Sequence, residues 1–166
     1  MQKVVGNEAA EYVALHYPLG KSAAVPQKAA WAKNICHYLE HTFDAETVCA
    51  VRERCVCNDG LTASKLMRGC LQKASSVREF VELFNHADKS GGWLEYVSER
   101  ELLLCYPACF CACIKRGDEL ISASWCQCSV GYAKRVFMQV LEVPFAAELV
   151  SSVKNGADRC AIRITW

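Results

Sequence analysis

Ser90-Gly91-Gly92-Trp93-Leu94-Glu95-Tyr96-Val97-Ser98-Glu99-Arg100-Glu101-Leu102-Leu103-Leu104-Cys105-Tyr106 is where the chain changes character. The glycine pair ends a helical pattern. Beyond it, Trp93–Val97 and Glu101–Tyr106 are short apolar and aromatic runs around the polar turn Ser98-Glu99-Arg100, which predicts a β-hairpin. Upstream, spacings of three and four residues predict helices. One covers about 3–16, with Val4, Val5, Ala9, Tyr12, Val13 and His16 on one side, and Pro18-Leu19-Gly20 stops it. Pro26 opens a second helix as a first-turn proline, and Trp31, Ile35, Tyr38 and Leu39 form its buried face. Asp44 is the predicted N-cap of a third, running to about Arg54. After the loop Cys55-Val56-Cys57-Asn58-Asp59-Gly60, two more are expected: about 62–73 with Leu66 and Cys70 inward, and 76–87 with Val77, Phe80, Val81 and Phe84 inward.

Downstream, the second strand is expected to continue through the cysteine-rich segment to about Ile114. Gly117-Asp118 turns the chain, and 119–122 reads as a further short strand. A helix over about 129–142 carries Val130, Ala133, Phe137 and Leu141 on one stripe. Phe145 to Val153, the turn Asn155-Gly156 and Arg159 to Trp166 form a C-terminal hairpin; Cys160, Ile162, Ile164 and Trp166 alternate with Arg159, Ala161, Arg163 and Thr165. The fold class is therefore α+β. N-terminal helices pack on an antiparallel sheet, a helix lies between the strands, and one domain spans 1–166, mainly helical over 1–90 and sheet plus helix over 91–166.

Composition narrows the function. The chain is 52% hydrophobic and 22% charged, ordinary values for a globular protein. Residues 1–90 hold eleven Lys/Arg against ten Asp/Glu, and 91–166 hold eight of each. That balance leaves no basic stripe for nucleic acid; Lys115-Arg116 and Lys134-Arg135 read as solvated surface. The longest apolar run, Leu102 to Ile114, is thirteen residues with a proline inside, too short for a membrane helix. Met1 is followed by polar residues without a signal peptide's apolar stretch, so a cytoplasmic location is expected.

Twelve cysteines in a reducing compartment point to metal or redox chemistry rather than a disulfide framework. Five of them lie within twenty positions: Cys109-Phe110-Cys111-Ala112-Cys113, then Cys126-Gln127-Cys128. In a strand Cys109, Cys111 and Cys113 would share one face. Cys126 and Cys128 stand just before the helix start expected at Ser129, whose free N–H groups would favour thiolate, the metal-binding form. Gly131 would let another segment approach that helix closely. The five are read as ligands of zinc, with an iron–sulfur cluster the less favoured alternative. Packing as small buried hydrophobes is the plainer reading weighed against this. Cys55 and Cys57 could join from the helical half, whereas Cys36, Cys49, Cys70, Cys105 and Cys160 read as core.

His37-Tyr38-Leu39-Glu40-His41 spells the H-x-x-E-H of inverted zinc peptidases, with two imidazoles one turn apart. Nothing singles out the third ligand such a site needs, and the favoured reading is an exposed helix face. His16 and His86 are isolated. No nucleotide-binding glycine loop and no G-x-S-x-G elbow is present.

The cysteine motif, together with Ile121-Ser-Ala-Ser-Trp-Cys-Gln-Cys-Ser-Val-Gly-Tyr132 and the tail Val143–Ile164 with Glu148, Gly156, Asp158 and Cys160, resembles a group of small bacterial and archaeal proteins. That group is similar to the aminothiazoline-carboxylate hydrolase-like family and, more remotely, to the vinyl-reductase small-molecule-binding domain. The resemblance covers about residues 85–166 and is weak over the first half. It implies an α+β ligand-binding fold with a pocket between helices and sheet, a small-molecule ligand, and cysteines near the pocket suited to metal. The hydrolase relationship implies opening of a cyclic thiazoline to a cysteine precursor, with no residue here carried over as its catalytic group.

Three functions are open on these grounds. The favoured one is a small-molecule- or metal-binding module with a cysteine-rich, zinc-holding site. The others are an aminothiazoline-type hydrolase, and a thiol redox sensor with Cys126 or Cys128 as a low-pKa nucleophile. The alternating strand 159–166 at the chain terminus is read as an edge through which a homodimer would pair.

Overall fold

The computed structural model describes residues 1–55 and 57–166. Five helices come first: α1 Gln2–His16, α2 Val25–Thr42, α3 Ala45–Glu53, α4 Leu61–Leu71 and α5 Val77–Ala87. Then follow β1 Trp93–Ser98, β2 Glu101–Tyr106, α6 Ala123–Phe137, β3 Ala146–Ser151, a short 3-10 turn Val153–Asn155 and β4 Cys160–Thr165. The α+β reading and the placement of a helix between the strands are as expected.

Local chemistry accounts for the helix ends. The Asp44 carboxylate accepts from the Thr47 amide at 2.8 Å, and the Ser76 hydroxyl accepts from the Glu79 amide at 3.2 Å. Gly60 takes φ +78° before α4, its amide bonded to the Asn58 side chain at 2.8 Å. The loop expected over 55–60 is observed at Cys55 and 57–60, while Val56 lies outside the described residues.

The four strands form one antiparallel sheet in the order β1-β2-β4-β3. The register pairs Leu102 with Ile164, Leu104 with Ile162, and Tyr106 with Cys160. One face is apolar; Leu94, Leu102, Leu104, Ile162 and Ile164 pack there with Met67, Phe80, Phe84, Val130 and Phe137 from α4, α5 and α6. The opposite face carries the ion pairs Glu95–Arg159, Glu101–Arg163 and Glu148–Arg163. A second apolar cluster joins Ala32, Ile35, Leu39, Val48 and Val51 of α2 and α3 to Ile114, Ile121, Trp125 and Cys126. Helix α6 serves both: its first turns enter the second cluster and its later turns the first.

Four expectations are corrected. The helix expected over 129–142 begins six residues earlier, because Cys126, Val130, Ala133 and Phe137 already form one buried 4-3-4 stripe. Ser122 caps it, accepting from the Ser124 amide at 3.3 Å. The second strand stops at Tyr106 instead of continuing to Ile114, since its partner β4 begins opposite at Cys160 and Pro107 has no N–H to extend the ladder. Residues 119–122 form no strand; the Ile121 amide donates to the Lys154 carbonyl at 2.7 Å. Finally, β4 is an interior strand, so it offers no edge for a homodimer, and the sheet edges are β1 and β3.

Candidate functional site

The site begins on α3. Val48, Val51 and Arg52 are its buried residues, so an arginine occupies the apolar stripe. Arg52 is only 7% exposed. Its guanidinium lies 3.9 Å over the Trp125 ring, donates to the Trp125 carbonyl at 2.8 Å and reaches Cys55 Sγ at 3.3 Å. Nε has no partner, and among the described residues no carboxylate pairs with Arg52. A cation that always carries its charge is thus held among sulfur, indole and peptide groups.

Helix α3 stands against α6 at Gly131. A Cβ at that position would lie 1.9 Å from the Glu53 carbonyl oxygen, so only glycine permits the approach. This is the close approach the sequence suggested. Lys134 and Arg135 seal it, Lys134 Nζ pairing with the Glu53 carboxylate at 2.6 Å and Arg135 donating to the Glu53 carbonyl at 3.2 Å. The solvated-surface reading of that basic pair is therefore corrected; Lys115 and Arg116 are exposed.

Around Arg52 three segments bring sulfur together: the end of α3, the loop after β2, and α6. Cys128 lies within electrostatic reach of Arg52, Cys111, Cys57 and Cys55. Cys113 feels Cys111, Cys57 and Arg52, and Cys57 feels Cys111, Cys55, Arg52 and Arg135. Of the five ligands expected, Cys111, Cys113 and Cys128 stand on this side, joined by Cys55 and Cys57. Cys109 and Cys126 stand on a second side. There Cys126 Sγ and Ser152 Oγ are 2.9 Å apart, and both cysteines feel Cys160. Lys154, 6% exposed, holds the Gly117 carbonyl and acts on Cys109.

Burial raises the thiols. Cys126 is pushed up to about 12, against the hydrogen bond from Ser152, and Cys128 to about 11, against Arg52. Cys57, Cys109 and Cys113 are also raised, by burial first. The lowering expected from a helix start at Ser129 does not arise. Both α6 cysteines lie beyond the helix's first three residues, where the free N–H groups are spent. Among the described residues, no three His, Cys, Asp or Glu side chains stand close enough to hold a metal ion as placed. Cys109, Cys111 and Cys113 also pack against the second apolar cluster, and Cys126 is one of its buried members.

The chain matches, over residues 1–166, a family of unknown function. It belongs to DUF6144. The match takes in the helical first half, where the resemblance to the aminothiazoline-carboxylate hydrolase-like family is weak, and it does not carry that resemblance or the one to the vinyl-reductase domain. No curated protein matches the chain. No helix among the described residues of this DUF6144 member is long and apolar enough to cross a membrane.

The remaining expectations fall into place around the centre. Cys36, Cys70 and Cys105 are buried, and Cys49 is half-buried. Cys160, expected in the core, sits instead at the Cys126 side, half-buried, its sulfur 3.5 Å from the Val153 amide. His37, Glu40 and His41 are exposed, the two imidazoles stacked at 3.9 Å and Glu40 accepting from the Ser122 hydroxyl. A cleft of about 480 Å³ lies between the end of α1 and α2, lined by Tyr17, Gln27, Trp31 and Asn34. Another of about 540 Å³ lies beside Arg68 and Gln139, so neither opens between helices and sheet, where the resemblance would put a pocket. Sequence reasoning missed Arg52, Ser152, Lys154 and the position of Cys160. The legible sign was Val48-x-x-Val51-Arg52-x-x-Cys55, an arginine and a cysteine continuing an apolar helix stripe.

Proposed function

We propose that this chain is a metal-binding protein whose cysteine centre takes up a thiophilic ion, zinc before an iron–sulfur cluster. What supports it is that Cys57, Cys113 and Cys128, from three separate segments, each lie within electrostatic reach of Arg52 and Cys111, and that Cys55 Sγ lies 3.3 Å from the Arg52 guanidinium. Four of these five supply the ligands. Cys109 and Cys126 adjoin them on the Ser152 side. The loop can close onto α6 without breaking a ladder, because its own backbone bonds are local, Cys111 accepting from Ile114 and Lys115 at 3.1 and 2.9 Å. Binding turns raised, neutral thiols into thiolates and draws that loop in.

The aminothiazoline-type hydrolase reading rests on the motif resemblance over about residues 85–166, and it would need three protein ligands with an open position. The redox reading needs a depressed thiol pKa, whereas burial raises Cys126 and Cys128.

Elemental analysis of full-length protein purified anaerobically tests the proposal. About one zinc per chain, or one iron–sulfur cluster, is expected. It should be lost in Cys111→Ser and Cys128→Ser and retained in Cys49→Ser. Metal-free wild-type protein with every thiol titrating and the fold intact would overturn it.

A further inference from the structure

The two edges of the sheet are not equally free. Trp166 continues the β4–β2 register opposite Arg100, and its amide donates to the Arg100 carbonyl at 3.0 Å, so its backbone groups face β2. Backbone groups alternate sides along an antiparallel strand, so those of Arg163 and Thr165 face β3 and bond there with Glu148 and Ala146. The amides and carbonyls of Ala147 and Leu149 therefore turn outward, and among the described residues nothing hydrogen-bonds to them. At the other edge an outward residue is Leu94. The Asn85 side chain of α5 closes it, donating to the Leu94 carbonyl at 2.8 Å and accepting from the Leu94 amide at 2.7 Å. The fold thus seals β1 with a helix side chain and leaves β3 open.

The open strand is also poorly defended. Its sequence, Ala146-Ala147-Glu148-Leu149-Val150-Ser151, holds no lysine or proline, and its one charge, Glu148, is spent on Arg163 within the sheet. Ala146 and Val150 are exposed, and Ala147 and Leu149 are half-buried beside the core. We infer that β3 pairs antiparallel with β3 of a second copy across a two-fold axis at Ala147, joining the two four-stranded sheets into one. The pleat requires opposed residues to share a face, so the axis falls on a residue. An axis on Glu148 would set the two Glu148 carboxylates opposite each other, which is unfavourable. An axis on Leu149 would run the pairing into the register shift between Leu149 and Ser151. The axis on Ala147 avoids both, placing Glu148 opposite Ala146 and Leu149 opposite Phe145. Phe145, which already packs on Phe137 with ring centroids 6.4 Å apart, then meets Leu149 of the second copy and carries the apolar layer across the axis. The strand is thus its own complement, and the pairing is independent of the metal-binding reading.

Sedimentation equilibrium of the full chain, with circular dichroism as the check on folding, tests this. The wild type should show a concentration-dependent mass that rises to twice that of the chain. Ala147→Pro removes an outward N–H and no bond of the β3–β4 ladder, so the fold should persist and the dimer should be lost. Ala146→Glu and Ala146→Lys probe the register at an exposed position. Glutamate there would face Glu148 of the second copy, twice by symmetry, and should raise the dimer dissociation constant about 2–30-fold. Lysine would face the same carboxylate and should lower it. A wild type that stays monomeric up to its solubility limit overturns the inference, as does wild-type dimer affinity in folded Ala147→Pro. If Ala147→Pro does not fold, the Ala146 variants decide, and equal shifts with glutamate and lysine overturn the pairing.

Discussion

Replacing Gly131 by alanine tests the contact on which the cysteine centre depends. The added Cβ would meet Glu53 O at 1.9 Å, Glu53 C at 2.6 Å and Glu53 Cα at 2.7 Å. All three are backbone atoms at the end of α3, so no side-chain rotation can relieve the overlap. Overpacking costs about 1–3 kcal/mol, and a backbone clash belongs at the upper end. Alanine returns about 1 kcal/mol of helix propensity, leaving a net loss of about 2 kcal/mol. For a chain of this size that lowers Tm by about 4–8 °C. Gly69, inside α4, is the internal control, because a Cβ there meets nothing within 4 Å. Gly69→Ala should raise stability by about 0.5–1 kcal/mol through propensity and chain entropy. The assay is thermal unfolding followed by circular dichroism, with both variants and the wild type in one buffer. If Gly131→Ala melts at or above the wild-type temperature, α3 does not approach α6 as described, and the placement of Arg52 and Cys55 beside Cys128 goes with it.

Three further outcomes follow from local chemistry. Ser76→Ala removes the α5 cap and should cost about 1 kcal/mol, visible as a lower urea midpoint with unchanged slope; an unchanged midpoint would refute the cap. The guanidinium of Arg159, then the Trp93 indole, hold the Glu95 carboxyl below the usual carboxylate range. A depressed carboxyl contributes stability that is present above the unfolded value of about 4.3 and lost as pH falls through the folded one, so Glu95→Gln should flatten the fall in stability below about pH 4. Superimposable acid limbs for variant and wild type would exclude that role. Cys105 is fully buried and its thiol is pushed up to about 11 by burial, so in metal-free protein iodoacetamide at pH 8 should leave it unmodified while exposed Cys57 reacts. Equal labelling of the two, read by peptide mass spectrometry, would contradict the register that places Cys105 opposite Trp93.

What could be read from the order of residues was what depends on neighbours along the chain. Helix stripes of period 3.6, the cap at Asp44, the alternation of the strands and the turn at Asn155-Gly156 express local backbone preference and one-sided burial, and these placed the elements. The five-cysteine motif was legible too, because its spacing is a local property. Its surroundings were not. Cys126 and Cys128 looked like loop ligands until α6 was seen to start at Ala123, a choice driven by Trp125 finding the α2–α3 cluster far away in sequence. Strand order is equally non-local: β4 lies between β2 and β3 because Ile162 and Ile164 bury against Leu104 and Leu102, which moved the sheet edge away from the chain terminus. Arg52 and Trp125 are 73 positions apart, and Lys154 and Gly117 are 37 apart. A buried cation is recognisable only when everything packed around it is known, since its meaning lies in the carboxylate that is missing. Local sequence therefore determined which pieces form and where the cysteines lie along them. Long-range burial alone decided how those pieces close around the sulfurs, and what charge waits there.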